Sequence, residues 1–126
     1  GKLYLHLSLR RNKMGKTLLD AMISEGLATY YEEHWNGEYT ESKWGHALNR
    51  AQLQDEWHQA QHELNSVSYN YQDWFFGTGV NHPVWTGYSL GTAIIQAYFQ
   101  RHAGAKMAEV VKMPSKKILK ESGYNN

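Results

Sequence analysis

Residues 17–34 read TLLDAMISEGLATYYEEH, and this stretch decides the fold. Plotted as a helix at about 100° per residue, it is apolar on two sides. One side carries Leu19, Ile23, Leu27 and Tyr30, and the other carries Leu18, Ala21, Met22 and Ala28. A helix that is apolar on both sides is typical of a buried position. Thr17 is a suitable N-cap, so the pattern predicts a central buried helix over residues 17–34.

Glu25 lies near the middle of this helix, among apolar neighbours. Burying an ionised carboxylate there costs on the order of several kcal/mol unless a cation, a metal or good hydrogen-bond donors meet it. Gly26 follows directly and costs about 1 kcal/mol of helix propensity relative to alanine. A glycine at this place predicts that another element packs very close. Glu25 and Gly26 are therefore unusual residues for a buried helix, and the sequence around them has to be searched for the reason.

Composition places the chain among globular domains, with 126 residues, 41% hydrophobic and 13% aromatic content. The formal net charge of +1 argues against a nucleic acid or an anionic membrane as partner. The sequence has no cysteine, so a metal site has to use histidine and carboxylate ligands. No membrane span or signal peptide is visible, which slightly favours the cytoplasm without fixing the compartment.

The remaining segments predict a single, mainly helical domain over residues 1–126. Amphipathic spacing predicts a surface helix over residues 40–65, an aromatic segment at 66–76, a turn-rich loop at 77–83 and a third helix at 85–102. Gly104 is expected to end that helix, and short helices follow at 105–112 and from Ser115, the expected N-cap, to Ser122. Only residues 2–9 alternate like a strand, although a buried leucine-rich helix would look similar. We therefore predict an all-α fold.

Gly87 and Gly91 stand four residues apart in the third helix and so lie on one face of it. This spacing permits the close approach of another backbone. Tyr88 lies beside them, and on residues alone the favoured interpretation is an aromatic that packs against this small face.

Three motifs together resemble a known family. They are SEGLA at 24–28, WFFG at 74–77 and WTGYSLG at 85–91. Their order and spacing are similar to those of bacterial predicted zinc-dependent proteases of the gluzincin type. In that family an H-E-x-x-H helix precedes a helix carrying E-G-L-A, and a W-T-G-Y-x-x-G helix closes the domain. The resemblance covers roughly residues 18–119.

The resemblance implies roles for two residues. Glu25 matches the third zinc ligand of a site with two histidines and one glutamate. Tyr88 matches the tyrosine of the closing helix, whose phenol would donate to the oxyanion of a tetrahedral intermediate. The implied fold is the C-terminal helical part of a zincin-like metallopeptidase domain. The implied cofactor is zinc, and the implied substrate is a peptide or protein.

No H-E-x-x-H occurs in the 126 residues. That motif supplies two histidine ligands and the glutamate that activates the metal-bound water. We expect the motif to lie upstream of Gly1 in the intact parent, and the chain alone to be inactive. The chain alone should bind zinc no more tightly than surface histidines do, and its uncovered Glu25 face should favour self-association. The alternative is a non-catalytic helical binding or scaffold domain.

Other residues admit plainer interpretations. Glu25 itself would be an ordinary paired carboxylate if Arg10, Arg11 or a tyrosine hydroxyl met it. His58 and His62 have the i, i+4 spacing of a zinc-binding pair, with Asp55 one turn before, but their polar neighbours favour two solvated histidines. Glu56 is predicted on the same wet face.

The acidic end of the central helix, with Glu32, Glu33 and His34, is predicted at the surface, with an outer role near Glu25 left open for Glu32. His82 and His102 are predicted as ordinary loop and helix-end histidines.

Overall fold

The computed structural model describes residues 17–34, 37–77 and 80–124. Within these ranges every regular element is helical, which confirms the predicted all-α fold. The elements are α1 (Leu18–Glu33), a 3₁₀ turn (Trp44–His46), α2 (Arg50–Ala60), a π-helix (Gln72–Phe76), α3 (Thr86–Arg101), α4 (Met107–Val110) and α5 (Ser115–Ser122). The alternating segment at residues 2–9, Arg10 and Arg11 lie outside the described residues. No helix in the described ranges is both long and apolar enough to cross a membrane.

Helix α1 begins where the sequence predicts. The Thr17 hydroxyl accepts from the Asp20 amide at 3.1 Å, and the Asp20 carboxylate accepts from the Thr17 amide at 3.3 Å. This reciprocal capping box satisfies two amides at the helix start. Both sides of α1 are then buried, as the apolar pattern predicts. The prediction of a surface position for Glu33 is wrong, because that side chain is only 1% exposed.

Helices α1 and α3 form the centre of the domain and cross at two glycines. A Cβ atom added to Gly26 would lie 2.4 Å from the Gly91 backbone, and one added to Gly91 would lie 2.0 Å from the Met22 carbonyl oxygen. No larger residue fits at either position without moving a helix. The close approach predicted at Gly26 and Gly91 is therefore confirmed. At Gly87 the neighbour is instead a side chain, since a Cβ there would lie 2.7 Å from the Phe75 ring.

The long helix predicted over residues 40–65 is wrong. The chain forms the 3₁₀ turn first, and α2 starts only after Asn49, whose side chain caps the helix together with Gln52. The apolar residues of the segment continue through the turn, so the spacing alone does not reveal the break. Gly104 also does not cap α3, since the C-cap of that helix is His102. At α5, Pro114 takes the N-cap position and Ser115 is the first helical residue.

Candidate functional site

Glu25 lies on α1 one residue before the glycine crossing, and its side chain is partly buried. Within the described ranges its carboxylate receives no hydrogen bond and forms no ion pair. Burial raises the pKa of this carboxyl above its ordinary value, because the charged form loses hydration. Glu25 is therefore a desolvated carboxylate whose charge nothing in the described chain compensates.

The negative charge of the Glu25 carboxylate affects the pKa of three tyrosine phenols. Burial, and then the negative charge of Glu25, raise the pKa of Tyr71 and of Tyr88. Burial also raises the pKa of Tyr69, where Tyr71, Asp20 and Glu25 add smaller contributions. Each phenol therefore keeps its proton at neutral pH and is a hydrogen-bond donor. The site combines one acceptor carboxylate with several donors, drawn from α1, α3 and the segment between α2 and α3.

The side chains of Tyr71 and Tyr88 affect one another electrostatically. This interaction raises the pKa of Tyr71 and lowers that of Tyr88, although burial and Glu25 leave the pKa of Tyr88 above its ordinary value. The two phenols are therefore close neighbours.

The π-helix fixes the orientation of Tyr88. The Phe75 ring meets the Tyr88 ring edge-on at a centroid distance of 5.3 Å, and the Phe76 ring lies 6.0 Å away. Tyr71 stacks on Phe75 at 4.6 Å, so the same ring supports both phenols. Phe75 reaches this position because Gly87 has no side chain to displace it. The Tyr88 ring therefore packs as the plainer interpretation predicts, and its role toward an oxyanion stays a prediction.

Glu33 is a second buried carboxylate on α1, and it is fully engaged at one oxygen. Its Oε2 atom accepts from the Ser42 amide and the Ser42 hydroxyl, each at 2.8 Å, and lies 2.8 Å from Nε2 of His46. The Oε1 atom is buried with no hydrogen-bond partner. These contacts hold the segment before the 3₁₀ turn against the end of α1. The sequence offered no local signal for them, because Ser42 and His46 follow in a loop.

Glu56 and His82 form a further pair that the sequence did not predict. Nδ1 of His82 lies 2.6 Å from Oε1 of Glu56, and the imidazole stacks on Trp74 at 3.7 Å. The prediction that Glu56 lies on a wet helix face is wrong, since its side chain is buried. The pair fastens the loop before α3 to α2.

The remaining histidines of the described ranges do not join the site. His58 and His62 are exposed, with ring centroids 5.6 Å apart, as the solvated interpretation predicts. His34 is exposed, and its Nδ1 donates to the Tyr30 carbonyl. His102 stacks on Tyr98. Glu32 is exposed. Across the part of the chain that the structure describes, no three histidine, aspartate or glutamate side chains come together as a metal site.

Comparison with known proteins agrees with the motifs. The family described as "Predicted Zn-dependent protease (DUF2268)" matches residues 6–120. The chain belongs to this family of predicted zinc-dependent proteases, which confirms the resemblance drawn from the 24–28 and 85–91 motifs. No curated protein matches the chain. No solved structure matches it either.

Proposed function

We propose that this chain forms part of a zinc-dependent peptidase, in which Glu25 is a metal ligand and Tyr88 stabilises the oxyanion. The observation that carries the proposal is the partly buried Glu25 carboxylate, which has no partner among the described residues. A carboxylate in this state is costly in a folded protein unless a cation meets it. Its position within the family match makes zinc the cation of choice.

The donor set fits zinc only in part. Carboxylate oxygen is a normal zinc ligand, but the described residues bring no two further ligands to Glu25. Glu25 would thus supply one ligand, and an H-E-x-x-H helix elsewhere in the protein would supply the two histidines and the general base. When bound, zinc supplies Lewis acidity and lowers the pKa of a coordinated water.

Tyr88 is suited to donate a hydrogen bond to a developing oxyanion. Its raised pKa keeps the phenol protonated at neutral pH. The rings of Phe75 and Phe76 hold the phenol in place before substrate arrives, so little reorganisation is needed. The substrate would be a peptide or protein.

The test uses the full-length product of the gene that encodes this chain. We expect it to hold zinc and to cleave an unstructured protein such as casein. Glu25→Gln should lower zinc affinity at least about 100-fold, because loss of a direct ligand exceeds the usual effect of an outer one. Glu32→Gln is the matched control, since Glu32 is exposed on the same helix. Tyr88→Phe should lower kcat by about 100-fold while zinc content stays unchanged.

Two results would overturn the proposal. Unchanged zinc affinity in Glu25→Gln would remove Glu25 from the metal site. A full-length protein that has no H-E-x-x-H helix and binds no zinc would favour the non-catalytic binding or scaffold domain instead.

A further inference from the structure

A recess lined by aromatic side chains opens beside Tyr88. Its volume is about 230 Å³, and its described walls are Trp44, Phe76, Trp85 and Tyr88. Trp44 and Phe76 are 42% and 44% exposed, which is unusual for such large rings. No charged side chain is among these walls. Tyr88 belongs both to this recess and to the group of phenols around Glu25, so the two features are continuous.

The wall formed by Trp44 is held by buried polar contacts. The Ser89 hydroxyl donates to the Trp44 carbonyl at 3.0 Å and accepts from the Ala47 amide at 3.1 Å. Ser42, which is bound to Glu33, accepts from the Gly45 amide at 3.1 Å. The 3₁₀ turn is thereby fixed from both α3 and α1. Because this turn is fixed, the exposed Trp44 ring is already in position for contact with a ligand.

The wall formed by Trp85 has an unfavourable backbone. Trp85 adopts φ 65° and ψ 26°, the left-handed region, and no other non-glycine residue in the described ranges has a positive φ. Such a conformation is uncommon for a bulky residue and persists only where its surroundings impose it. Here the Thr86 hydroxyl donates to the Pro83 carbonyl at 2.7 Å and closes the turn around it. The chain keeps a tryptophan where glycine would fit more easily, which indicates that the indole ring is needed there.

We propose that this recess binds one large apolar side chain, preferably aromatic, of the peptide substrate next to the bond that is cleaved. The identification of the ligand as a peptide substrate rests on the proposed function. The binding of an aromatic side chain in the recess does not depend on it. Whole-ligand pockets usually measure roughly 300–1,000 Å³, so a recess of 230 Å³ suits a single side chain. Aromatic walls without a charge favour a neutral ring over an ion. Tyr88 would then set the distance from this side chain to the reacting carbonyl.

The binding test needs neither zinc nor hydrolysis. The 126-residue chain is titrated with N-acetyl-phenylalanine amide, N-acetyl-alanine amide and N-acetyl-lysine amide, and the indole N–H signals of its five tryptophans are followed by NMR. We expect the phenylalanine amide to bind most tightly and to shift the signals of Trp44 and Trp85. Trp44→Ala should weaken this binding roughly threefold to tenfold, the effect of losing one aromatic contact.

Trp85→Gly is the second variant, because it removes a wall while relieving the left-handed backbone. It should fold at least as well as the wild type and still lose binding by a similar factor. Val67→Ala is the control, since Val67 is 71% exposed and lies outside the recess. It should leave all three titrations unchanged.

The outcomes separate this proposal from the peptidase. Preference for the phenylalanine amide that both tryptophan variants weaken supports the recess, even if Glu25 proves not to bind zinc. Equal binding of the alanine amide, tighter binding of the lysine amide, or binding that survives both variants overturns it. Cleavage by the full-length protein without any preference for aromatic residues also overturns it, while the zinc site would stand.

Discussion

Glu25 and Glu33 are two carboxylates on the same helix, about 12 Å apart along its axis at the usual rise per residue. Through its Oε2 atom, Glu33 accepts from Ser42 and pairs with His46, although its Oε1 atom has no hydrogen-bond partner. Glu25 has no such partner within the described ranges, although burial raises its pKa. The same helix therefore carries one carboxylate that is bound by the following loop and one that has no partner within the described ranges.

The contrast separates a structural role from a functional one. Glu33 binds the segment that carries Trp44, so its contacts serve the fold and indirectly the aromatic recess. Glu25 makes no comparable contact within the described ranges, and its burial imposes a cost of desolvation. A group that is kept despite such a cost is a candidate for function, because the compensating partner arrives from elsewhere.

Removing Glu33 should give the largest effect on stability. Glu33→Ala leaves the Ser42 amide, the Ser42 hydroxyl and His46 without their acceptor, which should lower the free energy of unfolding by about 3 kcal/mol. Urea denaturation followed by circular dichroism measures this change. Glu32→Ala, at an exposed neighbour, should stay within about 0.5 kcal/mol of the wild type. Equal losses in the two variants would mean that the Glu33 contacts do not stabilise the loop.

Glu25→Gln should act in the opposite direction and by a smaller amount. In the metal-free chain near neutral pH, this change removes a desolvated charge while the side chain keeps its size, so the free energy of unfolding should rise. The same denaturation experiment reports it. A clear loss of stability would show that Glu25 is paired after all, and the contrast with Glu33 would disappear.

The pH dependence sharpens this result. Because burial raises the pKa of Glu25 above 4.5, the folded chain binds its proton more tightly than the unfolded chain does. The contribution of Glu25 to stability is then greatest below about pH 4.5 and is lost as the pH rises through the raised pKa. The advantage of Glu25→Gln should therefore be small in acid and grow toward neutral pH. An advantage that does not vary between about pH 4 and pH 8 would point to packing rather than charge.

The smallest effect of Glu25→Gln is expected on the zinc affinity of the 126-residue chain by itself. Calorimetry should find binding no tighter than surface histidines provide, because the described residues gather no three ligands. Glu25→Gln should leave this weak binding unchanged, in contrast to its effect in the full-length protein. Submicromolar binding that His58→Ala abolishes would contradict this and would assign a metal site to His58 and His62.

Local features of the sequence predicted much of the helical fold. The Thr17 cap, the buried α1 and the close approach at Gly26 and Gly91 follow from residue types and spacing, and the structure confirms them. The partners of Glu33 lie in a loop without periodicity, so no pattern announces them. The break before α2 was missed because apolar residues continue at similar spacing through the 3₁₀ turn.

The site itself was predicted in part. The motifs brought Glu25 and Tyr88 to attention, and the structure places them near one another. Their assigned roles in metal binding and catalysis stay predictions. Tyr69 and Tyr71 were recognised only as members of an aromatic segment, because their relation to Glu25 depends on how that segment folds across α1. The pair of Glu56 and His82 depends on the same long-range folding.

The crossing of α1 and α3 at Gly26 and Gly91 has a consequence for how this protein can diversify. Backbone meets backbone there, so the distance between the two helices at the crossing is set by their main chains and not by a side chain. Mutations in the walls of the recess, at Trp44 or Phe76, can change the shape of the recess without changing this crossing. Evolution or protein design can therefore vary the selectivity of the recess while the distance between α1 and α3 at the crossing stays constant.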